Sequence, residues 1–443
     1  MGKMKKQRAS IFELDGVPKL TQALPLALQH VVAMIVGCVT PAIIVAGVAG
    51  LDSANRIMLI QSSLVVSAIS TFIQLFPIGK KGGFRFGSGL PVIMGVSFAY
   101  VASMQAIAAD YSIAAIFGAQ IIGGIVAAII GFFIDKIRKV FPPLVTGTVV
   151  FTIGLSLYPT AVNYMAGGAS SSNYGSWQNW LVAIITLAVV TILNHFSKGF
   201  VKLASILIGI IVGYIIAAFF GMVDLTPVAQ ASFFEAPRIM HFGIEFEPSS
   251  CIAIALLFAI NAIQAIGDFT ATTTGSMDRE PTDAEMKGAV VSYGCMNVIG
   301  AFLGGLPTAS YSQNVGIVVT TKVINRCVLG LGAGILLIAG LVPKFSGLLT
   351  TIPQCVLGGA TISVFASIAM TGIKLITSQE MNFRNTSVVG LAVALGVGIT
   401  QASASLAMFP AWVTTVFGKS PVVIATIVAV FLNLVLPKEK KQG

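Results

Sequence analysis

The sequence predicts an all-α polytopic membrane protein: fourteen transmembrane spans in a seven-plus-seven inverted repeat, with spans 3 and 10 broken by short antiparallel strands. Three observations predict it. Apolar runs of spanning length recur along the whole chain. Basic residues fall in alternate loops. Two short motifs of the first half return, in the same order, in the second.

Of 443 residues, 56% are hydrophobic and only 9% are charged, against about 25% charged in a soluble domain. Runs of roughly 17–25 apolar residues meet the requirement for crossing a hydrocarbon core. In the first half they begin near residues 24, 56, 89, 113, 141, 178 and 199. In the second they begin near 250, 286, 307, 327, 350, 387 and 420. The cluster Lys3, Lys5, Lys6 and Arg8 is followed by polar residues and an acid, so no cleavable signal is expected.

Taken in order, the first span carries Gln29 and His30. The third opens Gly89-Leu90-Pro91. A Gly- and Ser-rich connection, 164–177, follows the fifth. An acidic one, 223–249, with Asp224, Glu235, Glu245 and Glu247, divides seven spans from seven. The eighth reads IAIALLFAINAIQAIG and then Asp268. The tenth opens Gly305-Leu306-Pro307 and sets Ser310, Tyr311, Ser312, Gln313 and Asn314 in a row. The five cysteines, Cys38, Cys251, Cys295, Cys327 and Cys355, are scattered singly in or beside apolar segments. That spacing offers no disulfide framework and no metal site, and they are expected to be small packing residues. No cofactor is expected.

With a cytoplasmic N-terminus, the basic residues outside are Arg56, Arg238, Lys344 and Lys419 alone, which leaves 22 of 26 inside. This asymmetry is the positive-inside pattern, and one span more or fewer would invert the second half and destroy it. The net charge of +10 is therefore topological, and no nucleic acid is expected as a partner. Both termini are expected in the cytoplasm, with the chain in the cell membrane.

Gly89-Leu90-Pro91 returns as Gly305-Leu306-Pro307, an offset of 216, and Pro142 with Gly147 returns as Pro353 with Gly358, an offset of 211. Seven crossings end on the opposite side, so such a repeat is inverted. Gly- and Pro-interrupted spans at matching places in two inverted halves mark a transporter's binding site, because irregular backbone at membrane depth survives only where it lines a protein-enclosed cavity. Residues 91–97 and 307–313 are expected to run extended and to pair. Half-helices would start near Phe98 and Asn314, the second capped by Asn314, with their N–H groups toward the centre.

Gln313-Asn314-Val315-Gly316 through Thr321-Lys322 fits a ten-residue signature, Q/E/P-N-x-G-x-x-x-x-T-K/R/G. Gln29-His30, Gly95-Val96-Ser97-Phe98-Ala99, Phe141-Pro142-Pro143 and Gln264-Ala265-Ile266-Gly267-Asp268 fit four more motifs of the same family. The chain thus resembles the nucleobase–ascorbate transporters, the second class of nucleobase:cation symporters, over essentially its whole length. The resemblance implies a core domain of spans 1–4 and 8–11 (residues 1–140 and 250–349). It implies a gate domain of spans 5–7 and 12–14 (residues 141–249 and 350–443), pairing of two copies through the gate, and elevator-like motion of core against gate. Ser97 and Asn314 are expected to bind the substrate together with Gln264, Gln313, Phe98 and Tyr311. Two departures stand out. The family's eighth-span Glu is Gln264 here, and Ser292-Tyr293-Gly294 stands where purine carriers have Ala-Asp-Gly. Gln at position 313 is the xanthine or urate pattern, where uracil carriers have Glu.

The residues' own chemistry points the same way. The amides of Gln264 and Gln313 each offer a donor beside an acceptor, the complement of an N–H/C=O ring edge. Phe98 and Tyr311 are expected to stack on the ring. Asp268 alone among the acids lies deep in a span, where a carboxylate costs roughly 2.5–3.5 kcal/mol. Its expected role is to bind and release the coupling proton; the alternative is a structural acceptor for Thr270 or Thr272. His30 is expected to support the site structurally. The expected function is proton-coupled uptake of a nucleobase, a purine ahead of uracil, with sodium as the other candidate ion. The alternatives are uracil transport or an anion exchanger or channel, since sulfate and bicarbonate carriers resemble this architecture. An enzyme is not expected: no HExxH, no Gly-x-Ser-x-Gly and no His–acid cluster occurs within the spans.

Overall fold

The computed structural model describes residues 10–79, 85–134, 142–169 and 171–437. Lys80, Lys81, Lys136, Arg138, Lys139, Phe141 and the basic residues at both extreme termini, which entered the charge and motif readings, lie outside these residues.

In hydrocarbon a backbone N–H or C=O finds partners only within its own helix or a closed pairing, and the chain is accordingly helical. In order run α1 (Leu20–Val48), α2 (Ser53–Leu75), α3 (Val101–Asp110), α4 (Ile113–Phe132), α5 (Pro143–Met165), α6 (Trp177–Phe196), α7 (Ser205–Phe219) and α8 (Pro248–Met277). Then come α9 (Asp283–Phe302), α10 (Ser312–Thr321), α11 (Arg326–Leu341), α12 (Pro343–Thr350), α13 (Gln354–Thr377), α14 (Phe383–Gln401) and α15 (Pro421–Val435). Among the described residues, eight helices are long and apolar enough to cross a membrane by length and composition, and nine if α11 and α12, which meet at 81°, count as one span. The helix starts are coded locally. Proline occupies the first turn of α5, α8, α12 and α15, where its missing N–H has no partner to lose. Asp52, Ser112 and Asn382 cap α2, α4 and α14, and Thr282 and Glu285 form a capping box on α9.

Two crossings are interrupted by strands. β1 (Met94–Val96) lies antiparallel to β2 (Thr308–Ser310), with Met94 opposite Ser310, Gly95 opposite Ala309 and Val96 opposite Thr308. Both strands are shorter than the segments expected to run extended. Ser97 N donates to Pro307 O (3.0 Å) and Tyr311 N to Ile93 O (2.9 Å), and these two bonds interchange when 214 is added to Ser97 and Ile93. The ribbon's outer edges cannot reach water. Thr71 covers one edge, donating to Met94 O (3.1 Å) and accepting from Met94 N (3.0 Å). Asn297 covers the other, donating to Thr308 O (3.1 Å) and accepting from Thr308 N (2.8 Å).

The helices pack as two groups. α4 lies against α8 and α9, and α2 against α1 and α11. Separately, α5 lies against α13 and α15, α6 against α7 and α13, and α14 against α15. The α5–α13 contact is the most intimate, and small residues make it possible. A Cβ on Gly147 would come 2.8 Å from Ile376 N, while one on Gly358 would meet Met165 N. These two contacts also interchange under an offset of 211: Gly147 becomes Gly358 and Met165 becomes Ile376. Without a hydrophobic drive between helices in lipid, close backbone approach at such residues supplies the packing. Gly147→Leu is therefore expected to destabilise the protein by roughly 1–3 kcal/mol, read as a lower unfolding temperature in detergent. An unchanged temperature would mean that α5 and α13 do not pack this way.

The charged loops collect at the two ends. At one end Glu285 pairs with Arg279 through two bonds (2.8 and 2.7 Å) and with Arg85 (3.4 Å). Nearby, Arg326 pairs with Asp15 (3.2 Å) and its guanidinium lies against Gly89. Arg85, Arg279 and Arg326 are all residues the charge pattern assigns to the same side. At the other end Arg56 donates to Leu51 O (2.7 Å) and Arg238 pairs with Glu235 (2.8 Å).

Candidate functional site

The ribbon delivers two short helices toward one point. After β1 a 3-10 turn, Phe98–Tyr100, leads into α3, and the Ser97 hydroxyl accepts the Ala99 N–H (3.2 Å). After β2, α10 begins at Ser312, with Tyr311 at the cap position and no side chain closing it. Here the expected start is corrected. Asn314 is not the cap but lies inside the first turn, buried, where its Nδ2 donates to His30 O (3.2 Å) and meets His30 Nδ1 (3.1 Å). A tertiary partner in α1 outcompetes the local capping bond. His30, itself buried, thus sits behind α10 and fixes its orientation. The carbonyl can only accept, so the bond to it assigns Nδ2 to this side of the amide and makes Nδ1 the acceptor nitrogen of the ring.

In front of the ribbon a cavity of about 100 Å³ is lined by Ser97, Phe98, Gln264, Tyr311, Ser312 and Gln313, and from the other group of helices by Val150, Ile153, Val364 and Ile368. A wider cavity of about 530 Å³ adjoins it, sharing Val150, Gln264 and Ser312 and adding Asp268, Thr146, Thr274, Thr371 and Leu375. The site residues read from the sequence thus meet here, apart from His30 and Asn314, which lie one layer back. Among the described residues, neither the Gln264 nor the Gln313 side chain has a hydrogen-bond partner, although Gln264 is half-buried. Neither lining includes Lys, Arg or His.

Asp268 is held by hydroxyls from the tenth crossing. Ser310 Oγ donates to Oδ2 (2.5 Å) and Ser312 Oγ to Oδ1 (2.8 Å). Thr272, one of the partners weighed for this carboxylate, instead bonds the Asp268 backbone carbonyl (2.8 Å). The carboxylate therefore ties α8 to the start of α10, while its half-buried side chain still borders the wider cavity. Ser310 and Ser312 were visible as part of a polar run, but no spacing rule linked them to an acid more than forty residues earlier.

Of the two aromatic rings, Phe98 faces across the groups, edge-on to Phe365 at 5.1 Å. Tyr311 lines the smaller cavity but sits in a notch left by Gly37 and Gly95, where a Cβ on Gly95 would come 2.5 Å from its ring, and its hydroxyl donates to Val96 O (3.1 Å). Its ring is thus held by packing, and Phe98, the other ring expected to stack, borders the same cavity. Ser292, Tyr293 and Gly294 point into the helix group instead: Ser292 accepts from Gln74 (3.0 Å) and Tyr293 meets Tyr100 (2.5 Å). A larger cavity, about 690 Å³, lies between α1, α7, α11 and α12, but among the described residues only Thr40 and Tyr214 give it a polar lining, so it offers little to recognise a polar ring.

The chain matches the model of the Permease family over residues 21–405. A uric acid permease of Bacillus subtilis is 33% identical, over 93% of this chain and 95% of its own length. A xanthine permease of the same organism is 32% identical, over 94% of this chain and 93% of its own. Among solved structures, the transmembrane domain of a cyanobacterial bicarbonate transporter superposes with a TM-score of 0.61 at 17% identity, covering 92% of this chain and 97% of that domain. That likeness is one of fold.

Proposed function

The chain belongs to the Permease family, a multi-pass membrane transporter and not an enzyme, and from that premise we propose that it carries a nucleobase, a purine of the xanthine or urate kind ahead of uracil, coupled to a proton. The observation that carries this reading is the pair of unpartnered amides, Gln264 and Gln313, facing one cavity beside Phe98 and next to a hydroxyl-bound carboxylate. Two carboxamides complement the alternating N–H and C=O groups of an oxopurine edge. An anion site would use cations, whereas these cavities hold Asp268 and no basic residue. The test is uptake of labelled xanthine, urate and uracil into proteoliposomes under an imposed pH gradient, with bicarbonate and sulfate as the comparison. Transport of an anion without any nucleobase would overturn the reading.

We infer fourteen spans in two inverted sevens. Each expected span has a helix or an interrupted helix at its place. The α4-α8-α9 group with α1, α2 and α11 serves as the core, and the α5-α13 group as the gate, through which two copies would pair. Movement of core against gate alternates access. Both termini are assigned to the cytoplasm, on the side of Arg85, Arg279 and Arg326. The wider cavity runs toward that end, past Thr146, Thr274 and Leu375, so the conformation described here is inward-open.

The other end is closed by polar contacts between the groups: Lys419 with Asp110, Ser103 with Ser420 (3.0 Å) and Gln105 with Thr160 (3.3 Å). An exposed ion pair is worth about 0.2–1 kcal/mol. Lys419→Ala should therefore shift the balance toward the outward-open form by at most about fivefold. The readout is the rate at which an impermeant thiol reagent, added outside, labels a Val150→Cys reporter in a background without reactive native thiols. Faster labelling that the reversed pair Asp110→Lys with Lys419→Asp slows again is expected. An unchanged rate would show that this contact does not close the path.

A further inference from the structure

The smaller cavity divides its chemistry between the two groups of helices. The first group contributes every hydrogen-bonding side chain: Ser97, Gln264, Ser310, Ser312 and Gln313, with Tyr311. The second contributes only Val150, Ile153, Val364 and Ile368. Val150 and Ile153 lie three residues apart on α5, and Val364 and Ile368 four apart on α13, so each pair shares one helix face. Val150, Ile153 and Val364 are buried. Phe365, next to Val364, closes on Phe98 at 5.1 Å and brings this aliphatic surface up to the ring-stacking residue.

Resting on the nucleobase reading, we propose that Val150, Ile153, Val364 and Ile368 determine specificity, selecting a purine whose edge remote from the amides carries C–H rather than C=O. A planar ring lying on Phe98 with its pyrimidine-dione edge on Gln264 and Gln313 turns its five-membered ring toward these four side chains. Xanthine and urate present the same pyrimidine-dione edge. They differ at the carbon between the two five-membered-ring nitrogens, which bears hydrogen in xanthine and a carbonyl in urate. The aliphatic side chains can pack on the first and cannot pair with the second. A buried acceptor left without a donor loses roughly ten- to a hundredfold in affinity. Relatives of both kinds stand at nearly equal identity, so identity does not make the choice; the negative charge of urate near neutral pH, beside Asp268 and with no basic residue in either lining, favours xanthine as well.

The experiment is equilibrium binding of labelled xanthine and urate to the purified wild-type chain, to Val364→Thr and to Val150→Thr. Each variant places a hydroxyl in the surface at nearly unchanged shape. The wild type is expected to bind xanthine at least about tenfold more tightly than urate, and one or both variants to narrow that ratio severalfold, chiefly by gaining urate affinity. Equal binding of the two purines by the wild type, or a ratio unmoved in both variants, overturns the proposal while leaving nucleobase transport intact. Binding of neither purine overturns this inference, and if labelled uracil is not bound either, the nucleobase reading falls with it.

Discussion

Asp268→Asn leaves a transporter that still binds its substrate and no longer concentrates it. The carboxylate is the acidic group in the two adjoining cavities, one helical turn from Gln264 on the same face of α8. Its two hydroxyl donors come from Ser310 and Ser312, at the start of the half-helix that carries Gln313. A proton on Asp268 and a ligand on Gln313 would thus act on the same few residues, and coupling between them would be reciprocal. On the proposed mechanism the proton would also remove a charge that otherwise travels with the core through a low-dielectric barrier. Asn copies the neutral form permanently and keeps one oxygen to accept a serine hydroxyl. Binding should stay within about threefold of wild type, a change under 1 kcal/mol. Accumulation driven by a pH gradient should fall by at least tenfold, while exchange across vesicles loaded with substrate continues. Vesicle uptake with and without the gradient, beside direct binding, reads both. Accumulation by Asp268→Asn under the pH gradient would move the coupling to another group or another ion.

Gln313→Ala should cut uptake below one-tenth of wild type with no loss of protein from the membrane. The side chain is exposed to the cavity and, among the described residues, has no hydrogen-bond partner, so its removal leaves no packing defect and no stranded partner. The loss falls on the ligand, whose ring edge gives up a donor and an acceptor at once. Two neutral hydrogen bonds of about 1 kcal/mol each amount to a loss of roughly thirtyfold. Initial uptake rates normalised to the membrane level of each protein decide the matter. Uptake above one-tenth would remove Gln313 from the ligand's contacts.

What could be read in the sequence follows a physical division. Apolar length and loop charge are properties of the chain in its solvent, so the membrane and the helical fold were legible before any contact was known. Gln264, Gln313 and Asp268 were legible because polar groups at membrane depth are expensive and stand out. The reading failed where the deciding partner was distant in sequence. Asn314 has a good capping side chain, but the ring and carbonyl of His30 take it. Tyr311 looked like a stacking ring, but the notch between Gly37 and Gly95, brought together by two other crossings, had already claimed it. Val150, Ile153, Val364 and Ile368 gave no signal at all, because an aliphatic residue facing a ligand is indistinguishable in sequence from one facing a lipid tail.

The exchanged contacts at Gly147 and Gly358 have a thermodynamic consequence. On the proposed mechanism α5 and α13 both belong to the gate, and a close approach that is the same from either end would offer the moving core like surfaces toward both sides of the membrane. The free-energy difference between two such extreme shapes would then rest mainly on the residues that break the likeness, such as the Lys419–Asp110 pair. A carrier poised so evenly has no built-in direction. It would run as readily backward as forward, with the net flow of cargo set by the gradients of cargo and coupling ion together.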